Sequence, residues 1–186
     1  MPKTARVAHK AKRKAAAAKA RTTPSGRRKG DIFISYDASQ GVAPFVAKFR
    51  RATPMQHIDV EKHGVDSRLL KDMAHELNIS ASRFYTIIGV SKATAEKKAA
   101  EREVIAGAGG QAALGVARLL GIAQSIVDNS TTSEARDFDA AKWLGQWIER
   151  PQPALGGKKP ADLLDTPTGV EVVSRALGAI ESGAFL

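Results

Sequence analysis

Residues 148–185 read IERPQPALGGKKPADLLDTPTGVEVVSRALGAIESGAF. The prolines and glycines between positions 151 and 160 predict a loop, because proline lacks the amide donor and glycine loosens the backbone. Pro160 predicts the start of a short helical turn, since the first position of a helix needs no amide donor. Thr166 and Pro167 then predict the N-cap and first residue of a second helix, which we expect to end near Gly183.

The second helix has one apolar face. Val170, Val173, Leu177 and Ile180 recur at spacings of three and four, so this face must pack against another element. The order of loop, short helix, long helix and apolar tip resembles the C-terminal domain of the ParS/MbcA/Xre antitoxins, the inhibitory partners of RES-domain toxins. The resemblance is carried by Pro153, Ala154, Leu155, Gly156, Gly157, Pro160, Leu163, Leu164, Asp165, Thr166, Gly169, Val172, Leu177, Ile180, Gly183 and Phe185.

This resemblance implies a toxin-binding domain over residues 111–186. Such a domain docks on a RES-domain toxin and closes off its active site, where the toxin degrades NAD or transfers ADP-ribose. The alternative is that the loop and the two capped helices form only a packing unit. The residues that we expect to contact the toxin are Pro153, Leu155, Gly156, Gly157, Ile180, Phe185 and Leu186.

Residues 67–106 predict a helix-turn-helix. The first helix is indicated by an apolar stripe, Leu69, Leu70, Met73 and Leu77. A second helix is expected at about 80–88. Ser91 should cap a third helix that extends to about residue 101. The segment resembles the Xre-type helix-turn-helix, whose third helix enters the DNA major groove. The expected DNA-binding residues are Ser91, Lys92, Ala93, Thr94, Lys97 and, on phosphate, Lys98.

Tyr85 departs from the helix-turn-helix pattern. Many such motifs carry a small residue, usually alanine, where the second and third helices touch, and that position here falls on Tyr85. Either the helices separate or the tyrosine turns outward. The unit therefore either reads operator DNA or has become a three-helix packing unit.

The net charge of +10 is concentrated in residues 1–30, which hold eleven basic and no acidic residues. Removing these eleven from the 29 basic residues of the chain leaves 18 against 19 acidic ones, a charge of −1 for the remainder. A tail this basic with few large apolar residues is expected to be disordered when free and to bind nucleic acid phosphates. A solubilising tail, or one acting at an anionic membrane surface, is the alternative. The principal cations are Lys10, Lys12, Arg13, Lys14, Arg27, Arg28 and Lys29.

The middle of the chain carries weaker signals. Residues 31–66 are expected to form an irregular extension, in which 32–36 and 45–49 form an edge hairpin, a strand against a helix or a packed loop. The glycines at 107, 109 and 110 are expected to interrupt the helical pattern, because each costs about 1 kcal/mol relative to alanine. A helix at about 111–127 is apolar nearly all round, which indicates a central helix or a dimer seam. A further helix at about 136–149 places Trp143 and Trp147 on one face, as core or as interface.

Enzyme activity is not indicated. The HIDVEKH stretch at 57–63 offers two imidazoles and two carboxylates, but their spacing matches no helical face, so we expect no metal site, no catalytic residue and no cofactor. The absence of cysteine excludes thiol catalysis and fits a reducing cytoplasm, and no apolar run approaches the roughly 20 residues of a membrane span.

Together these patterns predict an all-α antitoxin with four segments: a disordered basic tail at 1–30, the extension at 31–66, the helix-turn-helix at 67–106 and the toxin-binding domain at 111–186. Its expected partners are a RES-domain toxin, operator DNA and a second copy of itself, which together form a larger toxin–antitoxin complex, without a membrane. The alternative is a free-standing DNA-binding protein, either nucleoid-associated or a transcriptional regulator.

Overall fold

The computed structural model describes residues 34–130 and 137–181. These residues form eight α-helices, two short 3-10 turns and one two-stranded antiparallel sheet, as the all-α prediction requires. In chain order the elements are α1 (Val42–Arg50), α2 (Pro54–His63), β1 (Val65–Asp66), α3 (Arg68–Glu76), α4 (Ala81–Ile87), α5 (Lys92–Glu101), β2 (Val104–Ile105), α6 (Gly107–Asp128), α7 (Ala140–Ile148), the 3-10 turns Pro153–Leu155 and Pro160–Asp162, and α8 (Pro167–Glu181).

The long helix α6 is the centre of the fold. Helices α8, α7, α1 and α2 all pack against it, which explains why its sequence is apolar nearly all round. The sequence predicts either a central helix or a dimer seam here, and the described contacts make α6 the central core helix. By length and composition alone α6 could cross a membrane, but 61% of its most apolar window is buried inside the protein.

The glycine run lies inside α6, which begins at Gly107, so the predicted break between helices falls instead at residues 102–106. The later glycines permit close packing. A Cβ on Gly110 would lie 2.4 Å from the carbonyl oxygen of Ile105 in β2, and one on Gly109 would lie 2.3 Å from a methyl group of Val90. Tertiary packing here outweighs the poor helix propensity of glycine.

The predicted irregular extension is also wrong for its described part, because residues 42–63 form α1 and α2. Helix α2 begins with a complete capping box: the Thr53 hydroxyl accepts from the Gln56 amide at 3.3 Å, and the Gln56 side chain accepts from the Thr53 amide at 2.9 Å. Pro54 occupies the first helical position. The sequence TPMQ thus carried a start signal for a helix. The predicted tail, 1–30, lies outside the described residues.

The three helices of the predicted helix-turn-helix are present as α3, α4 and α5. Ser80 and Ser91 cap α4 and α5 by accepting from the amides of Arg83 at 3.2 Å and Thr94 at 3.1 Å. Gly89 makes the turn between them with φ +67°, in the left-handed region that favours glycine. The predicted order of the three helices and the predicted Ser91 cap are therefore confirmed.

Tyr85 does not turn outward. Its side chain is 4% exposed and belongs to the common core, so the fold buries a tyrosine at this position in place of the usual small residue. Burial is the main cause that raises the pKa of its hydroxyl, with a smaller contribution from the Glu96 carboxylate.

The described parts of the predicted segments 67–106 and 111–186 contribute to one continuous core within a single compact unit. Gly145 of α7 lies directly against the C-terminal end of α3, where an added Cβ would be 1.9 Å from the Leu77 carbonyl oxygen. Arg83 of α4 reaches the other end of α7 and donates to both carboxylate oxygens of Glu149, at 2.6 and 3.1 Å. These hydrogen bonds hold the pKa of Glu149 below its usual value, against the opposing effect of burial.

Candidate functional site

The loop between α7 and α8 is closed by its own backbone. Pro153–Leu155 forms a 3-10 turn, and Gly156 and Gly157 follow with φ +64° and +78°, both in the left-handed region. The Gly157 amide donates to the Gln152 carbonyl and the Gln152 amide donates to the Lys158 carbonyl, each at 3.0 Å. Local hydrogen bonds thus give the PALGG sequence a defined shape.

This loop forms one wall of an apolar cleft of 250 Å³. The other walls come from α7 and from the C-terminal turns of α8. Its lining residues are Trp147, Gln152, Pro153, Ala154, Ala176 and Ile180. The Gln152 side-chain amide donates to the carbonyls of Trp147, at 3.1 Å, and Arg150, at 3.2 Å, which ties the loop to the end of α7.

Only some of the residues that were predicted to contact the toxin lie together at the cleft. Pro153 and Ile180, 27 positions apart, line the same cleft. Gly156 and Gly157 are exposed on the loop, whereas Leu155 is half-buried and packs against the core. The two remaining predicted contacts, Phe185 and Leu186, lie outside the described residues.

Both tryptophans adjoin the cleft. Trp147 is 9% exposed and belongs to the core, while Trp143 is half-buried and stacks on it with 6.1 Å between ring centroids. Phe138 extends this row, 6.1 Å from Trp143, and is 46% exposed. Phe138, like Gln152 and Ala176, was missed by sequence reasoning, because a single aromatic residue before a helix carries no periodic signal.

The position of α8 is set by close contacts at its N-terminal end. The Thr166 hydroxyl accepts from the Gly169 amide at 3.1 Å, as predicted for an N-cap. Val170 packs on Gly115 of α6, where a Cβ would lie 2.5 Å from a Val170 methyl group. Val173 and Leu177 are fully buried in the same interface. Because this face is inside the core, α8 presents Ile180 to the cleft from a fixed position.

The predicted DNA-binding residues lie on the N-terminal half of α5. Ser91, Lys92, Ala93, Thr94 and Lys97 are all exposed, and Lys92 lies 3.8 Å from Glu96.

Lys98 differs from the other predicted DNA contacts because it already has partners. Its ammonium group donates to the carboxylate of Glu103 at 3.2 Å and to the carbonyl oxygen of Val104 at 3.0 Å. A phosphate contact by Lys98 would therefore have to compete with these interactions.

The histidines at 57 and 63 have structural contacts. The His57 ring stacks on Phe49 at 4.4 Å and donates to the Phe49 carbonyl at 3.0 Å, and the ring of His63 hydrogen bonds to the Asp59 carbonyl at 2.7 Å. Within residues 34–130 and 137–181, no group of three or more histidines and carboxylates is placed to hold a metal ion.

The described residues form an all-α protein with the helices α3, α4 and α5 in the predicted order and an apolar cleft in its C-terminal region. Residues 137–183 match the family described as the antitoxin Xre/MbcA/ParS C-terminal toxin-binding domain. The chain is also 40% identical over 147 residues to the Prs ADP-ribosylating antitoxin of Sphingobium sp. (strain YBL2), an alignment that covers 78% of this chain and 91% of that protein. The chain belongs to the ParS/MbcA/Xre-type antitoxins.

Proposed function

We propose that this antitoxin neutralises a RES-domain toxin by docking its C-terminal domain over the toxin's active site, where the toxin degrades NAD or transfers ADP-ribose. Membership of the antitoxin family supports a toxin-neutralising role. The observation that carries the proposal is the apolar cleft, because it joins the predicted contacts Pro153 and Ile180 inside the toxin-binding domain. Concave apolar surfaces with few polar groups are the usual form of a docking site.

The proposed action is binding, without chemistry on the antitoxin itself. None of the six side chains that line the cleft titrates, and the polar Gln152 is hydrogen bonded to backbone carbonyls through its amide nitrogen. Occluding a toxin active site needs only complementary shape and desolvation. No cofactor of the antitoxin is required, and the NAD chemistry belongs to the toxin.

Co-expression with the protein encoded by the neighbouring gene tests this proposal, with growth and cellular NAD as readouts. We expect the neighbour alone to stop growth and the full-length chain to restore it. Truncation after Asp165 would remove the buried residues of α8 and so disrupt the core. A better variant deletes residues 182–186, which removes the predicted contacts Phe185 and Leu186 and leaves α8 in place. A harmless neighbour would reject the proposed function.

We further propose that the helix-turn-helix represses the antitoxin's own operon, as a homodimer that places two α5 helices one DNA turn apart. The exposure of Ser91, Lys92, Ala93, Thr94 and Lys97 supports this role, because all five residues face solvent on one end of α5. Such a protein would act in the cytoplasm and on the nucleoid when bound to DNA. A free-standing regulator without a toxin is the alternative, which membership of an antitoxin family disfavours.

Deletion of residues 1–30 tests the role of the basic tail in DNA binding. The deletion removes eleven cations, so operator affinity should fall and depend less on salt. The slope of log affinity against log salt should decrease in magnitude by about 0.9 for each phosphate that the tail had neutralised. Fluorescence anisotropy with operator DNA at several salt concentrations measures this slope. Toxin neutralisation should be unchanged, and an unaltered slope would show that the tail does not bind DNA.

A further inference from the structure

An aromatic row extends from the cleft onto the open surface. We define the aromatic ladder as Phe138, Trp143 and Trp147, whose consecutive ring centroids are each 6.1 Å apart. Trp147 lines the cleft, Trp143 is half-buried, and Phe138 is 46% exposed at the outer end. Exposed aromatic side chains beside a pocket are typical of binding hot spots. All three lie within the matched toxin-binding domain.

The loop that walls the cleft is flanked in sequence by positive charge. We define the basic rim as Arg150, Lys158 and Lys159, in the segment 150–161, which contains no acidic residue. The nearest carboxylates are already engaged: Glu149 accepts two hydrogen bonds from Arg83, and Asp162 lies 3.9 Å from the same guanidinium. Arg150 donates to the Gln146 side chain at 3.3 Å, and Lys159 interacts electrostatically with Glu149, so the rim is partly compensated. Together with Arg83, the rim still sets four cations against two carboxylates, which leaves an excess of positive charge.

We propose that the toxin contacts the surface formed by the cleft, the aromatic ladder and the basic rim, and that it does so with an apolar side chain surrounded by carboxylates. This inference rests on the proposed function. The apolar side chain enters the cleft, the surface beside it covers the aromatic ladder, and aspartate or glutamate residues lie against the basic rim. A volume of 250 Å³ holds one large apolar side chain. Basic and aromatic groups together can also bind single-stranded nucleic acid. The cleft, lined mostly by alanine, proline and isoleucine, favours an apolar protein side chain, because bases stack on open aromatic faces.

The aromatic ladder and the basic rim should affect the binding kinetics differently. Aromatic contacts at the centre of an interface set the dissociation rate, whereas charges at its rim steer encounter and set the association rate. Loss of Phe138 should therefore speed dissociation. Loss of charge at Lys158 and Lys159 should slow association and make it less sensitive to salt.

The test uses the purified protein encoded by the neighbouring gene as the probe, with surface-based kinetics at several ionic strengths. We expect Phe138→Ala to weaken binding about 10-fold through dissociation. The double variant Lys158→Gln/Lys159→Gln should slow association several-fold and flatten its salt dependence. The matched controls, Met55→Ala and Lys48→Gln/Lys62→Gln, remove exposed apolar and basic groups from α1 and α2 and should bind as the wild type does.

The outcomes separate this inference from the proposed function. Failure of the wild-type chain to bind the neighbouring protein would reject the proposed function, and the inference with it. If the wild type binds and both variant sets match it, the inference alone is wrong. A second result would also show that the inference is wrong. In that result the wild type binds a random single-stranded oligonucleotide and the variants do not, although the variants still bind the neighbouring protein as the wild type does.

Discussion

Gly145→Ala should destabilise the protein by roughly 3 kcal/mol or more, because the added methyl group has no space. Its carbon would lie 1.9 Å from the carbonyl oxygen of Leu77 and 2.9 Å from the carbonyl carbon. Both are backbone atoms at the end of α3, so no side chain can rotate away, and α7 would have to move off α3. Overpacking of a tight core commonly costs 1–3 kcal/mol, and a backbone collision belongs at the top of that range (~3 kcal/mol) or above.

Chemical denaturation followed by circular dichroism measures this effect. Gly178→Ala is a matched control, because Gly178 is also helical and an added Cβ there would meet no atom within 4 Å. That control should be as stable as the wild type or more stable by up to about 1 kcal/mol, because alanine has the better helix propensity. Equal stability of Gly145→Ala and the wild type would disprove the close approach of α7 to α3.

Ile180→Glu should weaken toxin binding by about 30-fold while leaving the antitoxin folded. Ile180 lines the cleft and is 38% exposed, so a carboxylate there would be desolvated only when the toxin docks. Removing a central apolar contact from an interface typically costs about 2 kcal/mol, which corresponds to that fold-change. Titration calorimetry with the neighbouring gene's product measures the affinity, and co-expression shows whether growth is still rescued.

Val172→Glu provides the control for this prediction. Val172 lies on the same helix and is 39% exposed, nearly the same fraction as Ile180, but it is not among the residues that line the cleft. Both variants should melt within a few degrees of the wild type, since exposed substitutions usually change stability by about 0.5 kcal/mol or less. Equal loss of affinity in the two variants would show that the contact surface is not centred on the cleft.

Local sequence signals predicted the helix starts from residue 80 onwards well. Thr166 with Pro167, and Ser80 and Ser91, were predicted as helix starts and are observed as such. Caps are predictable because their hydrogen bonds join residues three positions apart. Thr53 and Gln56 form the same kind of local signal and also mark a helix start. The sequence therefore contained a helix signal in the segment for which an irregular extension was predicted.

The candidate site was only partly predictable. The PALGG loop and Ile180 were identified from resemblance, but their meeting in one cleft with Trp147 and Ala176 depends on how α7 and α8 lie across α6. The prediction for the glycine run at the start of α6 failed for a related reason. This run is helical because it packs against Ile105 and Val90. Intrinsic helix propensities do not include such tertiary contacts.

The sequence by itself determined the helical content, the capped helix starts, the charge of the tail and the antitoxin resemblance, because each depends on neighbouring residues or on composition. Only the tertiary structure decided the depth of the cleft, the burial of Tyr85 and the close contact of Gly145 with Leu77. These features join residues far apart in the chain, and their energies depend on side-chain shape at distances of about 2–4 Å. Such shape complementarity exists only after the helices have packed.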